Sequence, residues 1–286
     1  MKAAIDFYER ELNVALQLAR EAGACLLEYY GKTLRIEHKT DGVEEEPVTQ
    51  ADRAANELIV TRLREEFPDD GILAEESVDT PARLQKKRVW IIDPLDGTNG
   101  FIARNGDFAV QIGLALEGES VLGVVYQPLP DVLQWAARGR GAWMKRAGFE
   151  GVQEARVSEE SDIGRMRLAA SRTHRSPRMD RVVRALGVRE EVRRGSVGVK
   201  VGLIVERQCD LYVHLSGRTK QWDTCAPEII LTEAGGRFTD LFGNALKYNA
   251  LDLQNRNGIV ATNGAAHERV IEGLAPLLEE FGRFPA

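Results

Sequence analysis

Apolar positions near the start of the chain recur at helical spacing. Leu12, Ala15, Leu16, Ala19, Ala22, Leu26 and Tyr30 share one face and Gly31 closes the run, which predicts a helix over 6–30. Residues 40–47, Thr-Asp-Gly-Val-Glu-Glu-Glu-Pro, read as a polar loop. Thr49 can then cap a second helix, with Asp52 three residues on and Leu58, Ile59, Leu63 and Phe67 buried. Ile72 to Ala74 predicts a short strand, and the apolar run Val89 to Ile92 a buried one. Residues 107–127 alternate around the turn Glu117-Gly-Glu-Ser120, a hairpin pattern, and Val132 to Ala137 adds a strand. Beyond residue 155 strands and helices alternate. Strands are predicted at 167–171, 210–215, 236–240 and 258–262, and helices at 177–186, 197–206, 224–234 and 266–281. Gly187 and Gly235-Gly236 fall where helix stops belong. The pattern predicts an α/β (α+β) protein, antiparallel-rich in its first half, with sheets between helix layers.

Composition narrows the class. The chain has 286 residues, 43% hydrophobic and 29% charged, which suits a soluble globular protein of two small domains or one large layered one. No apolar run approaches the roughly 18 residues that cross a bilayer. The N-terminal segment is amphipathic and acid-containing, unlike a signal or transit peptide. Cys25, Cys209 and Cys225 read as reduced thiols, and a cytoplasmic location is expected. The four histidines are scattered without zinc spacing. Net charge is −6, yet residues 165–220 hold 14 Lys/Arg against 5 Asp/Glu. One part of the surface therefore suits cations and another suits anions.

The chemistry concentrates in Arg88-Val-Trp-Ile-Ile-Asp-Pro-Leu-Asp-Gly-Thr-Asn-Gly-Phe101. A strand delivers Asp93, Asp96 and Thr98 into one loop at its carboxyl end, where ligands of open α/β sheets bind. Two carboxylates about 4 Å apart repel by roughly 4 kcal/mol at an effective dielectric near 20. Oxygen-only donors suit a hard cation such as Mg²⁺ better than zinc. Taken alone, Asp-Pro-x-Asp-Gly is also ordinary turn chemistry. The spacing of three does not match aspartyl-phosphate phosphatases, whose two aspartates stand two apart. Glu75 follows another strand, and Asp223 opens a helix whose Pro227 belongs in the first turn.

Three blocks then carry a resemblance: Leu73-Ala-Glu-Glu-Ser77, Trp90-Ile-Ile-Asp-Pro-Leu-Asp-Gly-Thr98, and Trp222-Asp-Thr-Cys-Ala226 with Ala234-Gly-Gly236. With them the chain resembles the Mg²⁺-dependent, Li⁺-sensitive inositol-monophosphatase-like phosphatases, from about residue 5 to 280. The resemblance implies an αβαβα sandwich. It implies an N-terminal subdomain over 1–155 with most metal ligands and a C-terminal one over 156–286. Glu75, Asp93 and the Leu95 carbonyl would hold one Mg²⁺; Asp93, Asp96 and Asp223 would hold a second; a third is often seen near Glu75. Glu75 and Thr98 would position the attacking water, with Glu46 in the role of the family's Asp that orients Thr98. The amides of Gly97 and Thr98 would cradle phosphate.

Within the superfamily the chain is most similar to the 3′(2′),5′-bisphosphate nucleotidases. The marks are Asp96-Gly-Thr-Asn-Gly-Phe-Ile102, Ser171-Arg-Thr-His174, Gly195-Ser-Val-Gly-Val-Lys200 and Gly217-Arg-Thr-Lys-Gln-Trp-Asp223. Asn99-Gly100 departs from both inositol monophosphatases and nucleotidases. His174, Ser196, Gly198 and Lys200 lie in the basic stretch near predicted helix starts, with Arg172 and Arg218 as phosphate candidates. The expected reaction is removal of the 3′-phosphate from adenosine 3′,5′-bisphosphate, or its sulfated analogue, a step of sulfur metabolism. Inositol monophosphatase or fructose-1,6-bisphosphatase activity is the alternative. The expected partner is a small phosphorylated substrate, with no nucleic acid and no membrane, for a monomer or homodimer. Nucleic-acid binding by the basic stretch is opposed by the net negative charge and the missing recognition signatures.

Overall fold

The computed structural model describes residues 8–33, 36–40, 45–173 and 176–284, without the side chains of 38–40 and 45–46. Helix α1 (Glu9–Tyr29) buries Ala15, Ala19, Ala22 and Leu26 of the face its sequence predicts, together with Leu18, while Leu12, Leu16 and Tyr30 are partly buried against the same core. Strands β1 (Ile36–Thr40) and β2 (Glu45–Thr49) pair antiparallel. Residues 45–47 are thus strand where a polar loop was predicted, because pairing satisfies the backbone whatever the side chains. Thr49 then caps α2 (Gln50–Glu66), as expected.

The larger sheet follows chain order: β3 (Gly71–Ala74), β4 (Arg88–Asp96), β5 (Ala109–Leu116), β6 (Glu119–Gln127), β7 (Val132–Ala137), β8 (Ala142–Arg146) and β9 (Gln153–Ala155). Only β3 and β4 are parallel. A short helix, α3 (Thr98–Ile102), sits between β4 and β5. The second sheet holds β10 (Arg167–Ser171), β11 (Glu190–Arg194), β12 (Leu211–His214), β13 (Arg237–Thr239) and β14 (Ile259–Thr262), in the order β11-β10-β12-β14-β13. Its helices are α4 (Pro177–Leu186), α5 (Val197–Val205), α6 (Gln221–Glu233) and α7 (His267–Glu280).

Strand alternation builds five layers. Trp90 and Ile92 of β4 join the core beneath α1 and α2, while Val89 and Ile91 face α5 and α6. Those two helices also cover Ala169, Tyr212, Ile259 and Ala261 of the second sheet. Its opposite face, with Leu168, Ala170, Leu211, Val213 and Val260, packs on α4 and α7. The order is the αβαβα sandwich expected. Each large side chain buried in these cores contributes about 1.5–3 kcal/mol. Among the described residues no helix is long and apolar enough to cross a membrane.

Two glycines set the height of α6. A Cβ at Gly123 would lie 2.4 Å from the Ala226 carbonyl oxygen, and one at Gly113 2.7 Å from Cys225 Sγ. The helix rests on the β5–β6 backbone there, and Ser120 Oγ donates to the Cys225 carbonyl at 2.7 Å. The helix begins at Gln221, so Pro227 lies inside it and not in the first turn as the sequence suggested. Asp223 caps the helix from its third residue, which moves the start upstream. Pro227 instead leaves the Asp223 carbonyl without its usual helical donor.

Candidate active site

Strands β3 and β4 end side by side, with Ala74 paired to Ile92. The residue that follows β3 is Glu75, whose amide donates to the Ile92 carbonyl at 3.1 Å. The next on β4 is Asp93. Residues three apart on a regular strand face opposite sides. Between Asp93, opposite Gln111, and Asp96, opposite Ala109, the register shifts. That bulge turns both carboxylates toward one place. Asp223 reaches the same place from the first turn of α6, where its Oδ2 accepts from the Lys220 amide at 2.6 Å. Asp93, Asp96 and Asp223 each bring an oxygen within 4.8 Å of the others.

These acids are costly to keep charged together. Asp93 is 1% exposed. Burial first, then the charges of Glu75, Asp96 and Asp223, push its carboxyl well above the usual range. At 4.8 Å and an effective dielectric near 20, each carboxylate pair repels by roughly 3 kcal/mol. A divalent cation removes that repulsion, and the described donors are oxygens alone. The donor set therefore fits a hard metal ion such as Mg²⁺.

Asp96 is held from several sides. Its Oδ2 accepts from Ser196 Oγ at 2.5 Å, Gln111 Nε2 at 2.6 Å and the Gly198 amide at 2.7 Å; Oδ1 accepts from the Val197 amide at 3.1 Å. Burial still outweighs these bonds and the nearby Lys200 charge, and its pKa is raised. The start of α5 is thus capped by Asp96. Ser196 and Gly198, expected to meet substrate phosphate, bond this carboxylate here, and Ser196 also lines the cavity.

Thr98 Oγ1 lies 3.1 Å from Asp52 Oδ1 and 3.3 Å from the Leu95 carbonyl. The other oxygen of Asp52 accepts from the Thr49 amide at 2.8 Å and the Thr49 hydroxyl at 2.6 Å. Burial pushes the Asp52 carboxyl up against the pull of these bonds. Among the described residues the carboxylate on Thr98 is Asp52; the sequence placed Glu46 in that role. The side chain of Glu46 lies outside the described residues, as does His174. Asp52 had been read only as a partner in the α2 cap, and it does both. A hydroxyl donating to Asp52 can accept a hydrogen bond through its lone pairs from a neighbour in the cavity.

Glu75, Asp93, Leu95, Asp96, Gly97, Thr98, Asn99, Ser196, Lys200, Arg218 and Asp223 line one cavity of about 630 Å³. Gly97, at φ 96°, permits the turn, and a Cβ there would strike the Asp107 carbonyl at 2.4 Å. The first amides of α3, at Thr98 and Asn99, have no acceptor within the helix. Lys200 is 5% exposed, with Nζ 4.6 Å above the Tyr212 ring. Burial pulls its pKa down to about 8 against the opposing charges of Asp96, Asp223 and Asp107. Arg172, Lys220 and Trp222 also line the cavity. Tyr212 and Gln111 were not read from sequence; only the sheet register brings them to the site.

Comparison with known proteins agrees with this geometry. The model of the inositol monophosphatase family matches residues 8–279. The 3′(2′),5′-bisphosphate nucleotidase CysQ of Salmonella typhimurium is 37% identical over 242 residues, 83% of this chain and 93% of that protein. The inositol-1-monophosphatase of Bacillus subtilis is 30% identical, covering 91% of this chain and 94% of its own. Among solved structures, an IMPase from Thermotoga maritima superposes with a TM-score of 0.80 at 28% identity, over 96% of this chain and 100% of that one. CysQ from Bacteroides thetaiotaomicron gives 0.76 at 30% identity, over 90% and 98%.

Proposed function

The chain belongs to the inositol monophosphatase family, and we propose that within it this phosphatase removes the 3′-phosphate of adenosine 3′,5′-bisphosphate, giving AMP and phosphate. The observation that carries this reading is the polarity of the cavity. Carboxylates Glu75, Asp93, Asp96 and Asp223 share it with the cations Arg172, Lys200, Arg218 and Lys220. A substrate with two phosphates would place one at the metal ions that the carboxylates would hold and the other against the cations. The resemblance to CysQ proteins points the same way.

Asp93, Asp96, Asp223, Glu75 and the Leu95 carbonyl would hold two to three Mg²⁺ ions. Bound there, the metal would supply Lewis-acid charge to the phosphoryl oxygens and make a water easier to deprotonate. Thr98, with its proton turned to Asp52, accepts a hydrogen bond from the attacking water and fixes its direction, with Glu75 alongside. The amides at the start of α3 donate to the phosphoryl oxygens. Lys200 supplies positive charge from within the cavity, its pKa near 8 leaving it mostly protonated at neutral pH. No side chain needs to form a covalent intermediate.

The second reading, an inositol monophosphatase, draws on the Bacillus subtilis relative. A phosphate-release panel decides. With Mg²⁺, the kcat/KM for adenosine 3′,5′-bisphosphate should exceed that for inositol 1-phosphate and fructose 1,6-bisphosphate, and Li⁺ should inhibit. A preference for inositol 1-phosphate refutes the nucleotide assignment and leaves the chemistry intact.

A further inference from the structure

Asp107, between α3 and β5, is a buried carboxylate that the mechanism above does not use. It is 2% exposed and lines the cavity. Its Oδ2 accepts from Arg172 Nε at 2.6 Å and from the Gly195 amide at 2.8 Å. Arg194 Nε stands 3.7 Å from Oδ1. Its backbone is equally engaged: the Asp107 amide donates to Asn105 Oδ1 at 2.9 Å, and its carbonyl lies where a Cβ on Gly97 or Gly100 would come within 2.4 Å. One residue thus joins the metal loop, the end of β10 and the turn into α5.

A purely structural ion pair looks different in this protein. Arg83 is 2% exposed and spends every nitrogen on the fold. Nε and Nη2 donate to Asp79, Nη1 to Asn249 Oδ1, and Nη2 also to the Ala250 carbonyl. Among the described residues Arg172 is fixed by two nitrogens only, Nε on Asp107 and Nη2 on the Arg193 carbonyl at 3.1 Å. Its side chain is 40% exposed and lines the cavity. Nη1 is left to donate elsewhere. One carboxylate against two guanidiniums also leaves this rim with net positive charge. The amides at the head of α5 cannot serve an anion here, since Asp96 already takes those of Val197 and Gly198.

We propose that Asp107 is a positioning residue for the second phosphate of the substrate: it holds Arg172 in one orientation, with Nη1 presented to the phosphate that is not cleaved. This rests on the bisphosphate reading above. A guanidinium fixed in advance loses less freedom when it binds, so the effect belongs in KM.

The test compares adenosine 3′,5′-bisphosphate with adenosine 3′-monophosphate in the full-length enzyme with Mg²⁺. Asp107→Asn should raise KM for the bisphosphate by about tenfold, with a much smaller change in kcat. The loss in kcat/KM should be at least about fivefold smaller on the monophosphate. Asp107→Glu should restore part of the bisphosphate KM. Adding Asp107→Asn to Arg172→Gln should then cost little more, because the two act as one unit. Equal losses on both substrates, with a lowered Tm, would make Asp107 a structural brace and overturn the inference alone. A wild-type enzyme indifferent to the second phosphate would overturn the bisphosphate reading and this inference with it.

Discussion

Replacing Asp52 by Asn separates two jobs done by one carboxylate. Oδ2 receives the Thr49 amide and hydroxyl, while Oδ1 faces Thr98 Oγ1 at 3.1 Å. Asn keeps the shape but has one acceptor oxygen. Two donors on the Thr49 side select that side for the oxygen, so the amide NH₂ turns to Thr98. The bond there reverses. Thr98 must now accept from Asn, which takes one of its lone pairs, and its proton turns to the Leu95 carbonyl at 3.3 Å, so the carboxylate that drew that proton away from the cavity is lost. The cap survives mostly intact, with a stability loss of about 0.5–1 kcal/mol. Proton management of this kind is worth about 10²–10⁴ in rate. We expect kcat to fall by about a hundredfold, or roughly 2.7 kcal/mol.

Thr49→Ala is the control. It removes the hydroxyl that Ala51 donates to at 3.1 Å and leaves the Asp52–Thr98 contact in place. It should cost about 1 kcal/mol of stability, with a loss in kcat below about fivefold. Thermal denaturation and steady-state phosphate release measure the two quantities. Thr98→Ala should match Asp52→Asn, and the double variant should be little worse than either. A kcat for Asp52→Asn within about threefold of wild type refutes the argument. So does a Thr49→Ala enzyme that loses as much activity as Asp52→Asn.

Asp93→Asn, or chelation of divalent metal, should abolish phosphate release, and Mg²⁺ should restore only the chelated wild type; isothermal titration should show weakened Mg²⁺ binding by the variant. Gly123→Ala drives a methyl into the Ala226 carbonyl and should destabilise by about 1–3 kcal/mol in chemical denaturation. His267 sits between the Thr239 and Thr262 hydroxyls, and burial pulls its pKa down to about 4. A depressed His pKa means that the unfolded chain takes the proton first. Stability should fall by about 2 kcal/mol as pH drops from 6.5 toward 4, and His267→Gln should flatten that slope. Glu228 behaves oppositely: burial lifts its pKa to about 7, so ionising it opposes folding as pH rises from 4.5 to 7. Glu228→Gln should therefore gain stability relative to wild type at pH 8 compared with pH 5, by about 2 kcal/mol in urea titrations.

What could be read in one dimension, and what could not, follows from where each residue gets its partners. The helices and the central strands announce themselves because one face or both faces are apolar over several turns or residues. Strand β11, Glu-Glu-Val-Arg-Arg, has no such face, since it is an edge that pairs with β10 through its backbone. Asp93 and Asp96 were legible for a related reason: paired carboxylates stand out where an apolar strand stops. The residues that hold those acids carry no local mark. Gln111 reaches Asp96 only because the register places it opposite Asp93 across the bulge. Asp107 meets Arg172 from 65 positions away. Asp52 is the instructive case, for its local signal was real and complete. A capping box already explained an Asp three residues after Thr49, so nothing in the sequence asked for a second role. Its free oxygen found Thr98 only when α2 packed against β4. A residue whose local duty uses one of two equivalent atoms is therefore where sequence reasoning should look for a second, distant duty.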